Sequence, residues 1–176
     1  MNTFSHSHPE NTPGLTKLWN RGHGAERLDA EIERAQKDAT HRFSIVLVQF
    51  DGLESVTDRL GHASTDCVWR RVLGVLTEDL GPKDLCCRLG GDDFMLILPS
   101  RSESECRVLA ERLHRRWTFA PGTLEASLEM NVGIASYPAE GSTVGSLFCA
   151  VDVDLSVDRD RNQSRRSERQ LRSVLQ

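Results

Sequence analysis

Apolar positions along this chain switch repeatedly between a helical and a strand-like period, and the switches divide it into elements. Leu28, Ile32, Ala35 and Ala39 recur at helical spacing. Glu31, Glu33, Arg34 and Lys37 surround that stripe, which predicts an amphipathic helix. Phe43 to Phe50 (FSIVLVQF) is nearly all apolar and rich in branched residues, the pattern of a buried central strand. Leu53, Val56 and Leu60 suggest a short helix, and Val68, Val72, Val75 or Leu76, and Leu80 a longer one. Two short apolar runs, Asp84-Leu85-Cys86-Cys87 and Phe94 to Pro99, flank Arg88-Leu89-Gly90-Gly91-Asp92-Asp93, which reads as a β-hairpin with its turn at the glycines. Ser102 and Glu105 form a capping box ahead of Cys106, Leu109, Leu113 and Trp117, so a helix starts there. Leu124, Ala126, Leu128, Met130, Val132 and Ile134 alternate strictly, predicting a long strand that ends at Tyr137-Pro138. Ser142 or Thr143 then caps a last helix through Leu147, Val151 and Leu155. Helices alternate with strands, yet the hairpin forces antiparallel pairing. The expected class is α/β (α+β): a single mixed, largely antiparallel sheet flanked by helices.

Composition narrows the class of molecule. With 176 residues, 38% apolar and 27% charged, the chain suits one soluble globular domain. We place that domain at 13–162, after a polar lead at 1–12 that carries His6 and His8. No apolar run approaches the roughly 18 residues of a membrane helix, and no signal-peptide pattern opens the chain, so a cytoplasmic location is expected. The five cysteines (Cys67, Cys86, Cys87, Cys106 and Cys149) are odd in number and form no CxxC. Reduced core thiols are the expectation, with Cys86 and Cys87 on opposite faces of a strand. A basic tail at 163–176 continues an arginine-rich stretch that begins at Arg159, although the whole chain has a net charge of −4. The absence of interleaved aromatics argues for a solvated helix extension and against nucleic acid as a partner.

Candidate chemistry gathers at the hairpin. Glycines at its tip permit positive φ and close approach of another molecule to the backbone. Adjacent carboxylates there are oxygen ligands of the kind that hold Mg²⁺ on a nucleotide phosphate, and they are also good turn-formers.

Read in order, several segments resemble the GGDEF family, the diguanylate cyclase domain of bacterial second-messenger signalling. Leu15-Thr16-Lys17-Leu18-Trp19-Asn20-Arg21 resembles the family's opening Leu-Thr-Gly-Leu-x-Asn-Arg. Leu60-Gly61-His62 with Asp66 resembles Gly-His-x-x-Gly-Asp, and Arg88 to Phe94 the signature itself, here in a GGDDF form. Val132-Gly133-Ile134-Ala135 is similar to Ser-x-Gly-Ile-Ala, and Asp152 with Leu155 to the closing Ala-Asp-x-Ala-Leu-Tyr helix. The resemblance covers about Leu15 to Asn162 and implies a nucleotidyl-cyclase-like fold. It also implies a reaction that joins two GTP molecules into cyclic di-GMP across a dimer, by metal-held phosphoryl transfer.

The same resemblance assigns roles, and several positions depart from it. Asp92 would be a Mg²⁺ ligand, and Asp93 would stand in for the catalytic glutamate with a side chain one methylene shorter. Gly90 and Gly91 would lie against the nucleotide. The family's Asp-x-Asp-x-Phe-Lys reads here Gln49-Phe50-Asp51-Gly52-Leu53-Glu54. An acidic metal ligand is therefore lost at Gln49, and Asp51, two residues along the same strand face, is its alternative. Glu54 places an anion where a lysine meets the phosphates, which turns attraction into repulsion. Thr57 replaces the guanine-reading asparagine, while its partner Asp66 is kept; as a helix cap, Asp66 would need no nucleotide. Arg159 would replace a phosphate-binding lysine. Gly81-Pro82-Lys83-Asp84 lacks the arginine of the family's product-inhibition motif, so feedback by cyclic di-GMP there is not expected.

The departures cluster on the site while the scaffold signals persist. The leading expectation is a degenerate GGDEF domain in cyclic di-GMP signalling that acts as a regulatory or protein-interaction module. It would work as a homodimer or with a heterologous signalling protein, with Mg²⁺ as cofactor only where nucleotide binds. An active diguanylate cyclase and a non-catalytic GTP sensor are the alternatives.

Overall fold

The structure, a computed structural model, describes residues 18–53, 62–117 and 128–174. In chain order the elements are β1 (Leu18–Trp19), α1 (Arg21–Lys37), β2 (Phe43–Asp51), α2 (His62–Thr77) and β3 (Leu85–Gly90). They continue with β4 (Asp93–Pro99), α3 (Glu103–Arg116), β5 (Glu129–Tyr137) and α4 (Val144–Val174). The strands form one sheet in the order β1-β3-β4-β2-β5. Only β1 and β3 pair in parallel; β3–β4, β4–β2 and β2–β5 are antiparallel. The sheet is mixed and largely antiparallel, flanked by four helices among the described residues.

Strand alternation divides the core between the two sheet faces. Val46, Val48 and Phe50 of β2 meet Val68, Val72 and Leu76 of α2 and Cys106, Leu109 and Leu113 of α3. Phe50 packs edge-on against Phe94, with ring centroids 5.7 Å apart, and against Trp117 at 4.5 Å. Ile45 and Leu47 point the other way, toward Leu28 and Ile32 of α1 and Leu147, Val151 and Leu155 of α4. Gln49 and Asp51 continue this second face past the last apolar residue of β2, so the strand delivers polar side chains at the edge of a packed layer.

Helix starts follow local capping. Asn20 accepts from the His23 N–H at 3.0 Å, which opens α1 ahead of its apolar stripe. The capping box of Ser102 and Glu105 is formed, and Thr143 accepts from the Ser146 N–H at 3.1 Å, so Thr143 caps α4.

Two expectations change. Glu31 is buried within α1 rather than placed among its outer charges, because position 31 lies on the stripe of Leu28, Ile32 and Ala35. Its oxygens take Arg27 Nε and His41 Nε2, each at 2.7 Å. Of the five free cysteines, Cys86, Cys87 and Cys106 are buried but Cys67 and Cys149 are exposed, since each lies on an outward helix face. The arginine-rich segment continues α4, which runs on through Val174 as the helix extension expected from its composition. The short helix expected at Val56 and Leu60, the lead at 1–12 and the start of the long strand at Leu124 and Ala126 lie outside the described residues. No helix among the described residues is long and apolar enough to cross a membrane.

Candidate functional site

The hairpin tip is built for close approach. Gly90 has φ 145° and Gly91 φ 53°, conformations that side chains rarely adopt, and a Cβ at either would meet open space. Leu89 is an extra residue between the Arg88–Phe94 and Gly90–Asp93 pairs, so the ladder bulges just before the turn. Arg88 fixes the turn by donating from Nε and Nη2 to the Gly91 carbonyl at 3.0 and 2.7 Å, while its guanidinium stacks 4.3 Å over the Trp69 ring.

Beside the tip, three strands bring polar residues into one row. Gln49 of β2 lies opposite both Asp93 of β4 and Asn131 of β5. Directly opposed residues share a face, so these side chains converge. Gln49 Nε2 donates to Asp93 Oδ1 at 2.9 Å, and its Oε1 accepts from Arg159 of α4. Arg159 Nε lies 3.9 Å from Asp51 Oδ2, beyond hydrogen-bond reach, and is buried without an acceptor. Asp51 Oδ2 accepts instead from Asn131 Nδ2 at 2.9 Å. Asn162, one turn beyond Asp158, donates to Asn131 Oδ1 at 3.0 Å and to the Met130 carbonyl at 3.1 Å. Asp92 joins through its backbone, its carbonyl accepting from Phe50 N–H at 3.0 Å between Gln49 and Asp51. The result is a chain of side chains from the hairpin across the sheet to α4.

A family model described as "Diguanylate cyclase, GGDEF domain" matches residues 11–165. The chain belongs to the GGDEF family. Among its relatives is the bifunctional diguanylate cyclase/cyclic di-GMP phosphodiesterase MucR of Pseudomonas aeruginosa, 30% identical over 152 residues, which cover 85% of this chain and 22% of MucR. Among solved structures, the GGDEF domain of YfiN (TpbB) from Pseudomonas aeruginosa has a TM-score of 0.69 at 26% identity, over 84% of this chain and 88% of that one. Diguanylate cyclase SiaD of the same organism, solved in complex with its activator SiaC, has a TM-score of 0.69 at 29% identity, over 84% of this chain and 57% of SiaD. The chain spans between 22% and 43% of the length of the curated relatives it matches.

The GGDEF family implies Mg²⁺, and the donor set here fits it poorly. Mg²⁺ requires oxygen lone pairs in near-octahedral array. Gln49 turns its N–H toward Asp93 and gives its carbonyl to a guanidinium, while Asp51 and Asp93 each accept from an amide. No group of three or more His, Cys, Asp or Glu side chains is placed to hold a metal among the described residues. The cation in the row is Arg159.

Of the residues singled out in the sequence, the structure gathers Gln49, Asp51, Asp93 and Arg159, with Asp92, Gly90 and Gly91 on the adjoining turn. Asp51 reaches this cluster with no slip of β2, whose pairing to β5 is continuous from Phe43 to Asp51. Thr57 and Glu54 lie outside the described residues. Asp66 is in the first turns of α2, and its side chain lies outside them too. Asp84 accepts from the Gly81 N–H at 2.9 Å and from Arg101, so the carboxylate left from the inhibition motif already has partners.

Sequence reasoning missed Asn131 and did not give Asn162 its place. The available signal for Asn131 was its parity: Met130 and Val132 face one layer of the core, so Asn131 had to be a polar group inside the other. Asp158 was missed as well. It accepts from Val132 N–H at 2.9 Å and His114 Nε2 at 3.0 Å. Burial works to raise the Asp158 carboxyl, but the hydrogen bonds from His114 and Val132 prevail and hold it below the ordinary carboxylate range.

Proposed function

We propose that this chain is a GGDEF domain of cyclic di-GMP signalling that does not cyclise GTP efficiently and serves as a regulatory or protein-interaction module. The observation that carries this reading is the seat of Arg159. A guanidinium lies against Gln49, the position where the family keeps an acidic metal ligand, and Asp93 is engaged with the Gln49 amide. Phosphoryl transfer between two nucleotides depends on metal-held phosphates and in-line geometry, so a row organised around a side-chain cation lacks what the reaction needs. Glu54 and Thr57, at the family's lysine and asparagine positions, weaken triphosphate and guanine contacts further.

The partner is proposed to be a second copy or a heterologous signalling protein, and a cytoplasmic setting follows from that role. SiaD, solved with its activator SiaC, is a relative that engages another protein. The test is product formation. Purified chain supplied with GTP and either Mg²⁺ or Mn²⁺ is expected to release cyclic di-GMP at least about a hundredfold more slowly than an active GGDEF protein, the scale of loss when a positioned catalytic group is removed. Robust product that rises with protein concentration and vanishes in Asp92→Ala would establish the working cyclase instead.

A further inference from the structure

We propose that Arg159 is the resident cation of this polar row, standing where a divalent ion would have to sit among Gln49, Asp51 and Asp93, so that guanidinium and metal exclude one another. The inference rests on the reading of the same site given above and deepens it. That reading says cyclisation is inefficient; this one assigns the cause to a contact made by α4.

Three observations carry it. Arg159 donates to Gln49 Oε1, the one side-chain atom of that residue able to ligate a metal. The opposite end of the same amide donates to Asp93 Oδ1, so the orientation of Gln49 is fixed by an acceptor on one side and a donor on the other. Arg159 Nε lies 3.9 Å from Asp51 Oδ2 and is buried without an acceptor. It is held there by charge attraction and by the turn of α4 rather than by its own hydrogen bond. Asn162 and Asp158, on that same turn, anchor the helix to Asn131, Met130 and Val132 of β5. The guanidinium therefore arrives on a rigid element. A divalent ion entering beside it would meet like charge and a Gln49 carbonyl already in use.

The arrangement implies an order of effects that differs from simple repair of the lost ligand. A carboxylate at position 49 would face Arg159 directly and form a charge-assisted pair. Gln49→Asp alone should thus tighten the guanidinium seat and leave metal affinity low. Removing Arg159 frees the carboxylates, and only then does an acid at 49 add a ligand.

The experiment is a titration of nucleotide-free protein with Mn²⁺, followed by the electron paramagnetic resonance signal of free Mn²⁺ and by the Mn²⁺-dependent shift in unfolding temperature. Wild type and Gln49→Asp are expected to bind weakly and alike. Arg159→Met should bind about tenfold more tightly, and Gln49→Asp with Arg159→Met tighter still, the range seen when groups around a metal site are changed. Arg159→Gln, which keeps a polar side chain at 159, guards against a methionine variant that fails to fold and should show the same gain. Tight stoichiometric Mn²⁺ binding by wild type that the Arg159 variants leave unchanged overturns the proposal. So does the absence of any gain in the folded Arg159 variants. A wild type that makes no cyclic product yet binds Mn²⁺ tightly defeats this inference alone; product from wild type defeats the functional reading.

Discussion

Single residues in this domain carry charge into places the apolar pattern reserves for the core. Glu31 is fully buried, and His41 beside it is only 12% exposed, whereas Arg34 has most of its side chain in solvent. Replacing Glu31 with Ala would strip the part-buried His41 Nε2 and Arg27 Nε of their acceptor, so a loss of about 2–4 kcal/mol is expected in urea unfolding. Glu31→Gln, which keeps the volume and one acceptor oxygen, should cost less. Asp158 gives a pH signature. Its carboxyl titrates lower in the folded chain than its ordinary value of 3.8, so it contributes stability above that pH and loses it as the pH falls through the folded value. Asp158→Asn should be less stable than wild type at neutral pH, and the gap should close below about pH 4, which thermal melts across that range would show. The sequence marked Gln49 and Arg159 because they depart from a family pattern. It could not mark Glu31 or Asp158, whose importance comes from what packs against them.

At the scale of elements, α4 and β5 pack in close contact. A Cβ on Gly133 would stand 2.3 Å from the Val151 carbonyl oxygen and 2.8 Å from Leu155 Cβ, so helix and strand touch backbone to backbone. Gly133→Ala must push α4 outward and is expected to cost about 1–3 kcal/mol, read as a lower unfolding temperature. It should also displace Arg159 and Asn162, which depend on the same docking. The helix seals the sheet as well. Asp158 and Asp154 accept the Val132 and Ile134 N–H groups, and Glu140 takes that of Ser136, so consecutive outward donors of the edge strand are spoken for. Elements with strong periodicity were legible in advance: β2, the hairpin, α3 and α4 fall where their patterns put them. The two-residue β1 was not, because Leu18–Trp19 gains its identity only from pairing with Cys86 and Cys87. Nor was the strand order, since apolar alternation gives a strand its faces but not its neighbours.

For the molecule as a whole, α4 continues well past the sheet it covers. Among the described residues, its buried apolar side chains are Leu147, Val151 and Leu155, and the last side chain tied to the sheet is Asn162. Beyond it, Gln163, Ser164, Arg165, Ser167 and Glu168 are exposed. Ser164 and Ser167 hydroxyls bond back to the helix's own carbonyls at Asp160 and Gln163 rather than to another element. An isolated helical extension gains little without a surface to pack on. A chain ending at Asn162 should therefore unfold at nearly the same urea concentration as the full chain, within about 0.5 kcal/mol, the range of ordinary surface changes. A chain ending at Asp158 removes Arg159 and Asn162 together. It should lose more than the first truncation does, because the buried Asn131 Oδ1 then loses the Asn162 amide and Gln49 Oε1 loses Arg159. If the two truncations proved equally costly, the arginine-rich turns would belong to the folded unit and the boundary proposed at 162 would be wrong.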